Sequence, residues 1–340
     1  MQKLFDQMMT GNRRELRYAS AMDAKTLHIV DGDSTGGTLK MSGLAKARDI
    51  LVWREALYSG PVPAGLPLRQ LSRLRSRYWT NGKSAAEFEK RDAALAKHER
   101  YEEISLWFGR GCTLCHLSLA QILSWFREHG VSPQELWWAA IHGGELHPEQ
   151  MAKAYAKRRS VSGKQMQLGE RTWRAFRQPS PAGLVRLMQA DLGAMPGVRS
   201  AVLWLLQEYP NLRNGLSRLE RDLLRQIHRR EIAKASQAVI PIIAREPVGD
   251  LLLFDMLRNF VQAEHPLLEF AQPFAGKFQT WEFNGATLAL TNAGRRVLAG
   301  KDDAVALNGI DRWIGGVHLH GKTVRWRWDR KAKSVIAANC

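Results

Sequence analysis

Cysteine is scarce in this chain of 340 residues, which has only Cys112, Cys115 and Cys340. So few thiols exclude a stapled disulfide framework, and a chain this long can bury a core without one. Long apolar runs are missing too. The most continuous, such as AVLWLL from Ala201, are far short of the roughly 20 residues of a membrane helix. The opening MQKLFDQMMTGNRRELRYASAM has no apolar stretch of the kind that directs secretion. These absences lead us to expect a cytoplasmic protein with no membrane association. Acidic residues are the minority, 33 against 50 Lys plus Arg, which excludes an acidic, solvating chain.

What is present is a folded-protein composition, with 45% hydrophobic residues and 12 tryptophans. The formal net charge of +17 is uneven: residues 1–145 carry 20 basic against 16 acidic side chains, and residues 146–340 carry 30 against 17. A positive excess concentrated in one half favours a polyanionic partner, because neutralised phosphates release counterions.

Residues 1–25 read as an appendage, with Met22 an alternative start to Met1. From Leu27 the pattern becomes α/β. LHIV, ILVWREAL, EISLWFG and ELWWAAIHG read as strands, separated by LRQLSRLRSRYW, AAEFEKRDAALAKH and LAQILSWFREHG at helical spacing. That alternation predicts a Rossmann-like α/β domain over 26–145 with a mostly parallel sheet, whose ligands sit beyond the carboxyl ends of the strands. A helical connector over 146–210 follows. Ser217 and Glu220 are spaced as a capping box, and DLLLFDMLRNFVQ is amphipathic. ATLALTNAGRRVLAG reads as a strand and then a helix that Thr291 caps. Helices, then a β-ribbon, then a closing helix predict a winged-helix-like domain over 211–300. Residues 301–340 read as a β-hairpin turning at Gly321–Lys322 with a basic tail.

Three motifs carry candidate chemistry. In LHIVDGDSTGGTLK, the N–H groups of Gly36, Gly37 and Thr38 and the hydroxyls of Ser34, Thr35 and Thr38 suit an anion at a helix start. Asp33 would orient a hydroxyl or a cation there. Two other readings of that knot stay open: a structural turn capped by Asp33 or Ser34, and a Ser34 nucleophile. For the last, GDS after a strand resembles the first block of SGNH hydrolases, but its base would be Asp311 with His318, at the wrong spacing. A catalytic alternative takes Asp31, Asp33 and Glu55 as ligands of a divalent cation in a metal-dependent phosphoesterase or nuclease. Arg54 and Glu55 fit equally a functional pair or a salt bridge. The second motif, CTLCH at Cys112–His116, has c-type haem spacing, half the thiolates of a zinc site and the spacing of a redox pair. Haem attachment needs export and a structural zinc site needs a second thiolate pair, so a chance spacing is favoured, ahead of a redox pair, a metal site and haem in that order. The third is basic. Arg258, Asn259 and Gln262 on the expected recognition helix would read nucleic acid, and Arg295, Arg296, Arg325, Arg327 and Arg330 would contact phosphates.

The segments LHIVDGDSTGGTLK, LVWREALYSGPVPAG, RNGLSRLERDLL, LTNAGRRVLAG and ALNGIDRWIGGVHLHG resemble the bacterial family of unknown function designated DUF1835. The resemblance covers most of the chain from Leu27 to Trp328. It implies an α/β part followed by a helical, winged-helix-like part, and it carries no activity with it. Many members follow the third strand with an acidic WFEHD-type segment, where this chain has WFGRGCTLCH. Any chemistry of those acids is therefore altered here. Residues and resemblance together lead us to expect a nucleic-acid-binding regulatory protein with a small phosphorylated or nucleotide-like ligand, no resident cofactor and no established catalysis. A non-catalytic protein-interaction module is the other alternative.

Overall fold

The computed structural model describes residues 25–109, 112–141 and 147–338. The expected N-terminal appendage, with its Met1 or Met22 start, lies outside them. The chain divides into two compact units. Unit 1 holds residues up to Leu57, Gly65–Arg174 and Asp191–Arg199; unit 2 holds Tyr58–Ala64, Ala175–Ala190 and the chain from Ser200. The 146–210 segment expected as a connector is thus shared between them. No helix among the described residues is long and apolar enough to cross a membrane.

Unit 1 is built on a five-stranded sheet of β1 (Thr26–Val30), β2 (Ile50–Val52), β3 (Glu103–Trp107), β4 (Leu136–Trp138) and β5 (Arg159–Ser160). Its order is β2-β1-β3-β4-β5, parallel except at β5, which runs antiparallel to β4. The first four strands alternate with helices, as the sequence pattern predicts. These are α1 (Asp33–Met41), α2 (Leu68–Thr80), α3 (Ala85–Leu95) and α4 (Cys115–Glu128), with α5 (Pro148–Ala156) before β5. Every residue of β1 is buried, so its apolar run is unbroken rather than alternating. On one face Val30 and Trp107 pack with Leu39 of α1 and with Met151 and Tyr155 of α5. Helix α4 is buried from His116 to Ser124, and Gly130 ends it at φ 73°.

After β1 the chain goes first to β2 on one side and then to β3 on the other. The order therefore reverses between β1 and β3, and the carboxyl ends of these two strands open the crevice where ligands of such sheets bind.

Unit 2 contains α6 (Gly163–Phe176) only in its last turn, α7 (Ala182–Met188) and most of α8 (Gly197–Gln207). Helix α9 (Arg218–His228) begins at the expected capping box: Glu220 N–H donates to Ser217 Oγ, and Ser217 N–H donates to the Glu220 carboxylate. Leu219, Leu223, Leu224 and Ile227 form its buried stripe. Then come β6 (Ile232–Lys234), α10 (Ala235–Ile243), α11 (Asp250–Gln262), β7 (Leu268–Phe270) and β8 (Thr287–Leu290). The three strands form an antiparallel sheet in the order β6-β8-β7. Helix α12 (Asn292–Ala299) starts where Gly294 N–H donates to Thr291 Oγ1, as its sequence implies.

The C-terminal hairpin differs from expectation. After α13 (Ala304–Asn308) there are two hairpins: β9 (Ile310–Ile314) with β10 (Val317–Gly321), and β11 (Trp326–Asp329) with β12 (Ser334–Ala337). The first turn lies at Gly315–Gly316 rather than at Gly321–Lys322. Its backbone runs so close to Phe176 and Arg177 that a Cβ on Gly316 would stand 1.9 Å from the Arg177 carbonyl oxygen. A close approach of two backbones sets this turn, and alternation along the strands carries no trace of it.

Candidate functional site

At the Asp31–Thr38 knot the expected roles are redistributed. Helix α1 begins at Asp33, so Gly36, Gly37 and Thr38 lie in its second turn, and Gly36 N–H already donates to the Gly32 carbonyl. Those amides are not an anion cradle, which corrects the expectation. Gly36 serves packing instead: a Cβ there would meet Val52 at 3.2 Å and Val30 at 3.4 Å, so the helix lies close on the sheet. Thr38 Oγ1 donates to the Ser34 carbonyl. Ser34 is exposed. Its proposed base partners are bonded to each other in unit 2, where His318 Nε2 lies 2.7 Å from Asp311 and the imidazole stacks on Trp313.

The Asp31, Asp33 and Glu55 carboxylates, expected to share a cation in the catalytic alternative, each have separate partners. Asp33 is held by Arg54, whose Nε donates to both carboxylate oxygens at 2.8 and 2.9 Å, and this pair keeps the carboxyl below its usual range. Glu55 is buried and accepts from Arg75 Nε at 2.8 Å and from Arg91 at 3.4 Å. Arg91 also pairs with Asp92 and stacks over Trp53. Glu55 therefore belongs to a buried charge network, and WREAL resolves into one exposed salt bridge and one buried one.

Asp31 faces elsewhere. Its carboxylate accepts from Thr35 Oγ1 at 2.6 Å and from the Gly109 backbone, while its N–H donates to the Trp107 carbonyl. It thus ties the end of β1 to the end of β3 at the crevice. Cys112 and Cys115 lie in the same place, joined by a disulfide, and Cys115 is the first residue of α4. A carboxylate oxygen of Asp31 and the two sulfurs lie within 4.8 Å of one another, the one such three-donor group among the described residues. With each sulfur committed to the other, the group has no thiolate to offer a cation. Burial pushes the Asp31 carboxyl above its ordinary range, against the hydrogen bonds from Thr35 and Gly109.

Two anchors hold the cysteine loop. Trp138 Nε1 donates to the Phe108 carbonyl at 3.0 Å, and His116 Nδ1 lies 3.0 Å from the Cys112 carbonyl oxygen. Burial lowers the pKa of His116, so it stays neutral. Gly197 leaves room for its ring, because a Cβ there would fall 2.1 Å from Cε1. Sequence reasoning weighed the CTLCH spacing but did not join it to Asp31, since 80 residues lie between them. The one available signal was that both follow strands of a parallel sheet.

In unit 2 the expected nucleic-acid residues also find partners. Arg258 is buried, with Nε donating to the Phe278 carbonyl at 2.9 Å, Nη2 to the Thr280 carbonyl and Nη1 to Asp255. It pins the 271–286 loop and reads no base, which corrects that assignment. Asn259 and Gln262 are exposed, next to exposed Leu251 and Asp255. Arg295 donates to the Leu290 carbonyl and to Asn292; Arg296 pairs with Asp302, and Arg327 with Asp303. Arg325 lies exposed over Trp326, and Arg330 is exposed.

The sequence matches no protein-family model, and no curated protein matches it.

Proposed function

We propose that the chain is a thiol–disulfide redox protein: the Cys112–Cys115 pair at the switch point of a Rossmann-like unit 1 is a reversible exchange centre. The observation that carries this is the bridge at the start of α4, beside a half-buried carboxylate, at the carboxyl ends of β1 and β3. Stapling explains the bridge poorly. Cysteines three positions apart close so short a loop that the entropic gain is about 2 kcal/mol at most. A helix start, by contrast, stabilises a thiolate and so favours exchange. In the cytoplasm, the compartment proposed for this chain, persistent disulfides are rare and reversible ones are mostly catalytic or sensing. The CTLCH segment stands where DUF1835-type chains carry acids, so proposed membership of that family is compatible with chemistry particular to this member.

The test is exchange with oxidised glutathione after reduction by dithiothreitol. The folded protein is expected to re-form the bridge, and Cys112→Ser or Cys115→Ser to stop at a mixed disulfide with glutathione, seen as added mass on the peptide that holds the remaining one of the two, apart from Cys340. Thiols that react only after unfolding would sink the reading.

A second reading concerns unit 2. The order α9-β6-α10-α11-β7-loop-β8, with its antiparallel sheet, supports a winged helix, and the basic excess of residues 146–340 supports a nucleic-acid partner. With Arg258 turned inward and Asp255 on the exposed face of α11, the contacts are to phosphate rather than to bases. Exposed Arg225, Arg229, Arg325 and Arg330 are the cations for it. Affinity for duplex DNA is then expected to be indifferent to sequence and to fall steeply with salt, by a log–log slope of about −0.9 per phosphate contacted. A flat salt response in a fluorescence anisotropy titration would leave protein docking as the role of unit 2. The small anionic ligand expected at the knot keeps only the first-turn amides of α1, next to the Asp33–Arg54 pair.

A further inference from the structure

Thiol–disulfide exchange moves protons as well as electrons. A cysteine attacks as the thiolate, so the second cysteine of a pair must lose its proton inside the complex before it can close the ring. In bulk water solvent takes that proton. In a partly buried crevice a nearby base does so faster, and a base beside both sulfurs serves whichever of them closes the ring.

Asp31 meets this requirement by position. Its carboxylate oxygen lies within 4.8 Å of Cys112 Sγ and of Cys115 Sγ, a span a proton crosses directly or over one water. It is fixed rather than free to swing, because Thr35 Oγ1 donates to it from α1 and the Gly109 N–H donates to it from the chain after β3. No salt bridge among the described residues holds it ionised. The nearest carboxylate along the chain, Asp33, is engaged by Arg54; His116, the nearest imidazole on α4, is turned to the Cys112 carbonyl and neutral; β1 and β3 offer no cation here. Arg110 lies outside the described residues. The carboxyl consequently responds to burial, and its proton affinity rises toward that of a thiol, the direction an effective base needs.

We infer that Asp31 is the proton relay of the Cys112–Cys115 pair, an inference that rests on the redox reading above. One cysteine, having released its proton to solvent, attacks a sulfur of a disulfide R–S–S–R as the thiolate; the S–S bond breaks, a cysteine–S–R bond forms, and the first R–S⁻ leaves and takes up a proton from solvent. The other cysteine gives its proton to the Asp31 carboxylate, and its thiolate attacks the cysteine sulfur of the mixed disulfide. The Cys112–Cys115 bond forms, the second R–S⁻ leaves, and Asp31 returns the proton to it. The pair is oxidised by two electrons, and R–S–S–R is reduced to two R–SH. In the reverse direction Asp31 begins protonated and donates to the sulfur released when the bridge opens.

The experiment follows oxidation of the reduced full-length protein by oxidised glutathione, quenched with acid and read by mass. Asp31→Asn keeps an oxygen for Thr35 and Gly109 but cannot accept a proton. It is expected to slow ring closure about 100-fold near neutral pH, the scale of general base catalysis, so that the mixed disulfide on the peptide holding Cys112 and Cys115, read apart from Cys340, accumulates where the native protein shows almost none. The deficit is expected to shrink toward none above about pH 9, where the thiol ionises without help. Thr35→Val removes a hydrogen bond to the ionised carboxylate and is expected to move the pH inflection of ring closure upward; it decides the question should Asp31→Asn fail to fold. Unchanged kinetics in Asp31→Asn, or a loss of equal size at every pH, would overturn the relay while leaving the redox reading in place. A native pair that does not exchange at all would overturn the redox reading itself.

Discussion

Replacing Glu55 with alanine is expected to cost unit 1 about 3–5 kcal/mol, the usual result of stripping one partner from a buried charge network. The Glu55 side chain is 2% exposed and that of Arg75 is fully buried. Arg75 Nη2 also donates to the Ala56 carbonyl, and Arg91 donates to Ser72 and Asp92 while lying 4.1 Å from the Trp53 ring centroid. Alanine would remove the one carboxylate that accepts from both of these buried guanidinium groups. The cost comes from desolvated positive charge, since exposed pairs such as Asp33–Arg54 contribute little. Denaturant unfolding measures it. The double variant Glu55→Met with Arg75→Met is expected to lose less than Glu55→Ala, because it removes charge and partner together. A loss below about 1 kcal/mol in Glu55→Ala would show that water reaches the network.

Acid is expected to weaken unit 1 through His28. This imidazole is buried in β1, where Nδ1 accepts from Trp107 Nε1 at 3.1 Å and the ring packs near Tyr155. Burial lowers its pKa from 6.5 to about 4; Arg158 lowers it further, and Asp49 opposes both. Because the folded form binds a proton less readily than the unfolded chain, stability is intact above 6.5 and declines as the pH falls toward 4. The shift corresponds to about 3 kcal/mol over that window. Asp31, with its raised carboxyl, acts in the opposite sense and offsets part of it. In unit 2, Glu208 is fully buried and raised to about 7, so it too contributes stability that is lost as pH rises through 7. Denaturant midpoints at about pH 7 and about pH 4.5 check the claim. Because Asp31 and Glu208 pull the other way, the deciding comparison is with His28→Gln, which is expected to lose less stability than the native protein between the two values; an equal change in both would contradict the claim.

How much of this was legible in the sequence depends on the range of the interaction concerned. The strand–helix alternation from Leu27, the Ser217–Glu220 capping box and the Thr291 cap are local patterns, and each is found where its residues place it. The glycines of the Asp31–Thr38 knot were misread because glycine serves phosphate cradles and close helix–sheet packing alike. Only the 3.2 Å approach of Val52 to Gly36 separates the two. The basic residues were misread for a related reason: Arg258, Arg296 and Arg327 count toward a polyanion surface until their partners Asp255, Asp302 and Asp303 are found beside them.

By itself, the sequence determined the class of unit 1, the starts of α9 and α12 and the lopsided charge, since these depend on periodicity, caps and composition within a few residues. The tertiary structure alone decided which groups face one another. Asp31 and the cysteines are brought together by β1 lying beside β3, a pairing governed by packing on both sheet faces. Whether a carboxylate is a ligand, a salt-bridge partner or a base depends on its desolvation and its neighbours. Both are properties of the folded interior, and no short stretch of chain encodes them.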